Sequence, residues 1–144
     1  YVESGNTDAV LVVIDSTGKW FKKGVSTETK IAQELATAPT AKVEAASAQP
    51  LTVSSGTISA GAKIEATGYN ASSANQFKVS LTPASNTTAT MTLTGDILKN
   101  GDVTLTSDSK DNIAVTGKGF ITGKIIVEQT GKATNTINFT IEVK

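Results

Sequence analysis

The strongest constraint lies at the end of the chain, where Ile137, Phe139, Ile141 and Val143 alternate with Asn138, Thr140, Glu142 and Lys144. Successive side chains of a strand point to opposite faces, so this period of two sets one apolar row inward and one polar row outward. Upstream, Gly123-Lys124-Ile125-Ile126-Val127-Glu128 is a second strand-forming run, and Gly131 in Thr130-Gly131-Lys132 sits where the chain reverses. The two runs predict the C-terminal hairpin of a sheet with one wet face. The rest of the chain must cover the other face.

From Leu51 onward the texture supplies such a cover. Short β-prone runs recur at roughly the 8–12-residue spacing of a sandwich: Leu51–Val53, Lys63–Thr67, Gln76–Leu81, Ala89–Leu93, Asp102–Leu105, Ile113–Val115, Lys124–Gln129 and Ile137–Val143. Phe77/Val79/Leu81, Met91/Leu93 and Val103/Leu105 alternate cleanly. Asn100-Gly101 is a tight-turn dipeptide, and Pro83 ends the run before it. With an aromatic fraction of only 5%, the core is expected to be aliphatic, anchored by Trp20, Phe21, Phe77, Phe120 and Phe139.

Before Pro50 the pattern changes. Ala9-Val10-Leu11-Val12-Val13-Ile14 is the most apolar run and does not alternate, so both its faces call for cover. Asp15-Ser16-Thr17-Gly18 signals a turn, and Lys19-Trp20-Phe21-Lys22-Lys23 follows as a partner strand. Two readings stand: a hairpin within its own subunit, or a strand added to the sheet of a neighbour. Ile31 and Leu35, spaced i, i+4, with Ser26 or Thr27 as cap, predict a short helix within Val25–Thr37, stopped at Pro39. Thr40–Gln49, with Val43 its only large apolar residue, reads as a strand-poor connector. The domain boundary is therefore expected near Pro50, with residues 1–49 a hairpin and connector and residues 50–144 a sandwich.

Gly101-Asp102-Val103-Thr104-Leu105-Thr106-Ser107, Ile113-Ala114-Val115-Thr116-Gly117-Lys118-Gly119, Gly123-Lys124-Ile125-Ile126-Val127 and Ile137-Asn138-Phe139-Thr140-Ile141-Glu142-Val143 follow one another in an order that resembles the group-2 bacterial immunoglobulin-like domains. The resemblance covers the last third of the chain and, more loosely, Leu51–Leu93. Val103-Thr104-Leu105-Thr106-Ser107 stands where that family carries a Trp-Ser-Ser segment, and nothing before Pro50 matches. The resemblance implies an immunoglobulin-like Greek-key sandwich. It also implies a module of cell-surface proteins, adhesins, surface-layer lattices or phage virions, uses that need no catalytic residues.

Composition narrows the function classes. With no Cys and no His, thiol and imidazole catalysis, disulfides and the common zinc ligand sets are excluded. Net charge is zero and every basic residue is Lys, so there is no basic surplus for nucleic acid and no Arg fork for anions. The run Ala9–Ile14 is far short of the roughly 20 residues of a membrane-spanning helix. A chain starting at Tyr1 is read as processed or trimmed. Phosphate-loop, dinucleotide and nucleophile-elbow patterns are missing. The acids are too scattered, and the aromatics too few, for a glycosidase cleft or a glycan platform. Asp108, Asp111 and Asn112 gather oxygens that calcium accepts, but Lys110 lies among them, and a solvated turn is the simpler reading. The acceptor patterns at Asn70, Asn86 and Asn138 are those expected by chance in an Asn/Thr-rich chain.

The sequence is therefore read as a non-enzymatic, cofactor-free structural subunit of a repetitive extracellular assembly, a surface layer or pilus-like filament held by strand pairing between copies of itself. A phage virion protein or an adhesin module is the alternative. The expected location is extracellular or cell-surface, or the virion in that alternative. The candidate subunit-contact residues are Ala9, Val10, Leu11, Val12, Val13, Ile14, Trp20 and Phe21.

Overall fold

The structure, a computed structural model, describes residues 34–48 and 50–144 in full, together with the backbone of three strands upstream. Every regular element among the described residues is a β-strand. The upstream strands are β1 (Leu11–Ile14), β2 (Trp20–Lys23) and β3 (Glu28–Ile31), a three-stranded antiparallel sheet in the order β1-β2-β3. The expected hairpin is thus present, with Val13 opposite Phe21 and Ile14 opposite Trp20.

The helix expected within Val25–Thr37 is replaced, where that stretch is described, by β3, whose Ile31 lies opposite Trp20, and by Leu35, which bridges to Ala133. One i, i+4 pair is a weak local signal. A helix of a few turns is marginal on its own, and cross-strand pairing overrides it here.

The remaining strands build two facing sheets. The smaller has the order β10-β7-β4, from β4 (Thr40–Ala45), β7 (Asn75–Thr82) and β10 (Ser109–Val115). The larger has the order β5-β6-β12-β11-β8-β9. Its strands are β5 (Thr52–Val53), β6 (Lys63–Thr67), β8 (Thr88–Thr94), β9 (Val103–Thr106), β11 (Gly119–Glu128) and β12 (Asn135–Val143). The chain crosses from β7 to β8, returns from β9 to β10, and crosses again to lay β11 between β8 and β12. This interlocked order is an immunoglobulin-like Greek-key β-sandwich. All strand pairs are antiparallel except β6 with β12, which run parallel from Lys63↔Thr140 to Ala66↔Val143.

The connector expected at Thr40–Gln49 is corrected over its first part. Thr40–Ala45 is β4, with Ala41 and Val43 buried against the core, so the sandwich begins before Pro50 and the expected boundary falls inside it. Ala41 fills a core position without looking like one, and that is why the alternation was hidden. Gln49 lies outside the described residues.

Elsewhere the alternation is expressed as read. Ile137, Phe139, Ile141 and Val143 are buried, as are Phe77, Val79, Leu81, Met91, Leu93 and Leu105. β7 stops at Thr82, before Pro83. Gly101 closes a turn by donating its N–H to the Leu98 carbonyl at 3.2 Å, with φ +80°. Asn75, the buried polar side chain, is satisfied: its amide donates to the Asn70 and Ser73 carbonyls at 2.9 Å each, and its Oδ1 accepts from the Asn70 N–H at 2.9 Å.

Gly123, mid-strand in β11, lies directly opposite Phe139 in β12, and the Phe139 ring occupies the space a β-carbon would need. The ring covers the bare backbone, an arrangement known to compensate a strand glycine. Gly123→Ala is therefore expected to destabilise the fold by about 1–3 kcal/mol through overpacking. Urea unfolding should show part of that loss recovered in the Gly123→Ala/Phe139→Leu double variant.

Candidate interaction surfaces

The outer face of the large sheet follows from the same register. In β11, Ile121, Gly123, Ile125 and Val127 face the core, which sends Phe120, Thr122, Lys124, Ile126 and Glu128 outward. Phe120 is 64% exposed and Ile126 39%. The expectation that Phe120 anchors the core is thus corrected. The buried Ile125/Val127 row fixes the register, and parity then puts Phe120 on the wet side. The alternation in the sequence already carried this signal.

Around Phe120 the surface is mainly hydroxyl and charge. Thr88, Thr90, Thr92 and Thr94 line β8, with Thr104 and Thr106 on β9, Thr122 on β11 and Thr140 on β12. These β-branched side chains suit the pleat. Phe120 pairs with Glu142, which stands opposite Glu65, and Lys63, Ile64 and Thr140 complete a shallow groove of about 550 Å³. Glu142 and Glu65 are like charges placed side by side, an unfavourable cross-strand pair. Lys144 lies between them, its Nζ 2.7 Å from Glu65 Oε1 and 3.8 Å from Glu142 Oε1. The hydrogen bond to Glu65, then the charges of Glu65 and Glu142, hold the Lys144 ammonium above its ordinary 10.5.

Both edges of the smaller sheet, β4 and β10, are guarded. Along β4, the Val43 N–H donates to the Gly56 carbonyl at 2.7 Å and the Ile58 N–H to the Ala41 carbonyl at 3.0 Å. A β-carbon on Gly56 would collide with that same Val43 carbonyl, so glycine permits the approach. At β10, Asp111 sits on the core-facing row with Ile113 and Val115, yet is exposed in the seam between β10 and β9. Inward-pointing charge on an edge strand opposes the addition of another strand. That seam, a cleft of about 340 Å³, also carries Asp102. The oxygen cluster read from Asp108, Asp111 and Asn112 is dispersed: Asp108 lies in the turn after Ser107, and the strand turns Asp111 and Asn112 to opposite faces. No group of three or more acidic, His or Cys side chains comes together among the described residues.

Of the candidate contact residues, Leu11, Val12, Val13 and Ile14 form β1, at the outer edge of its sheet, with Trp20 and Phe21 in the strand beside it. Ala9 and Val10 lie outside the described residues. No helix among the described residues is long and apolar enough to cross a membrane.

No family model matches the chain, and neither does any curated protein. A solved structure similar to it is the extracellular domain of a hybrid two component system from B. thetaiotaomicron, at 11% sequence identity and a TM-score of 0.43. The match covers 92% of this chain and 19% of that one. The fold assignment rests on the strand order and register above.

Two outcomes test this surface. Phe120→Thr should change unfolding stability by less than about 0.5 kcal/mol, because the ring buries little. The raised Lys144 pKa contributes stability that is complete below 10.5 and is lost as pH rises through the higher folded value. Thermal melts should therefore show wild type above Lys144→Gln at neutral pH, with the gap closing at strongly alkaline pH.

Proposed function

We propose that the chain is a non-enzymatic structural subunit of an extracellular assembly, joined to further copies of itself by strand pairing through β1. One observation carries this reading. β1, Leu-Val-Val-Ile, is uncharged and sits at an edge of its sheet, with no strand beyond it among the described residues, while β4 is covered and β10 is charged. An edge strand presents unpaired backbone donors and acceptors that template another strand, and proteins block the edges they do not use. An apolar edge with no partner among the described residues, beside the guarded edges of the smaller sheet, fits the use of that edge for association. The immunoglobulin-like sandwich and the Thr-, Ser- and Asn-rich composition are compatible with a surface module. The fold alone does not choose a surface lattice, a filament or a virion.

Removing residues 1–14 is the direct test. The truncated protein is expected to run as a monomer in size-exclusion chromatography with light scattering, while the full chain forms oligomers or polymers visible by negative-stain microscopy. A truncated protein that still polymerises, or a full chain that stays monomeric at high concentration, would contradict the reading.

A further inference from the structure

The segments through which tension would enter and leave the sandwich are both tied along its length. Glu34–Ala36 lies beside the start of β12: the Ala133 N–H donates to the Glu34 carbonyl at 2.9 Å, and the Ala36 N–H to the Ala133 carbonyl at 2.8 Å. Three side chains brace the same stretch. Gln129 Oε1 accepts from the Thr37 N–H at 3.1 Å, Asn135 Nδ2 donates to the Ala36 carbonyl at 3.1 Å, and Lys132 Nζ lies 2.6 Å from Glu34. At the far end of β12, roughly 30 Å away at the rise of a strand, the Lys144 N–H donates to the Ala66 carbonyl at 2.8 Å, and the Lys144 carbonyl accepts from the Tyr69 N–H at 3.0 Å. Between these ends β6 runs parallel to β12, with the Gly61 N–H bonded to the Asn138 carbonyl at 2.7 Å and the Thr140 N–H to the Ala62 carbonyl at 2.9 Å.

We propose that the sandwich is a load-bearing module, with Glu34–Ala36 and β6 clamped in parallel against the 133–144 segment, so that force applied between residues 34 and 144 loads the clamp in shear. Pulling Glu34 toward the start of β12 and Lys144 toward its end slides the strands past one another along their axes. Parallel ladder bonds slant across the strands at even spacing, so sliding strains many of them together, whereas peeling a hairpin from one end breaks them one at a time. β4 adds to the first resistance, because it leaves the same entry point and pairs with β7 along its length from Thr40↔Thr82 to Ala45↔Phe77. The inference is independent of what β1 pairs with.

Single-molecule force spectroscopy tests it, and the absence of native cysteine allows unique handles. One form of the full chain carries Leu35→Cys, an exposed side chain that leaves the Glu34 brace intact, and a cysteine added after Lys144. The other carries Ser85→Cys and Thr130→Cys, on two exposed turns at one end of the sandwich. Forced unfolding reports the barrier along the pulled direction, so the first geometry is expected to rupture at a force at least about twofold above the second. Equal forces, or a weaker end-to-end geometry, would overturn the proposal. Urea melts of both forms before tethering should coincide, so that any difference belongs to direction and not to stability.

Discussion

The whole sandwich is referred to one strand. β12 is paired on both sides, antiparallel with β11 and parallel with β6, and its apolar row supplies Ile137, Phe139, Ile141 and Val143 to the core. A slip of one residue would exchange that row for Asn138, Thr140, Glu142 and Lys144, so register and burial are a single constraint. The Phe139 ring over Gly123 pins it: at this register the bulkiest side chain of β12 meets the mid-strand glycine of β11.

That constraint also organises the surface. Once β11 is held by the inward placement of Ile125 and Val127, Phe120 and Ile126 have no choice but to face water, and Glu142 and Glu65 become neighbours that need Lys144 between them. The edges show a complementary economy. Backbone from 56 to 58 covers β4, and Asp111 guards β10. Such devices are what a β protein uses to restrict where other strands pair with it. The proposed reading of β1 as a cohesive edge follows the same logic.

Much of this was legible in the sequence. The period of two in residues 137–144, the turn glycines at 101 and 131, and the stop at Pro83 each act through local stereochemistry, and each was expressed where it was read. What escaped depended on distant partners or on small side chains. β4 hid because Ala41 fills a buried position without a large side chain. The parallel union of β6 with β12 joins residues far apart in the chain, and no local pattern encodes it. Ile31 and Leu35 imitated a helical face because their spacing suits both a helix turn and two separate strand contacts. Phe120, though aromatic, faces water because parity with the buried Ile121 and Ile125 assigns its face.

Native-state hydrogen exchange of the full chain tests the central role of β12 most directly, because the slowest amides mark the segments that open only with global unfolding. The account predicts that the slowest-exchanging amides lie in β12 and in the strand paired to it, β11, with the exposed half of β10 exchanging far sooner. Slowest exchange in the smaller sheet, with β12 amides lost through local opening, would contradict it.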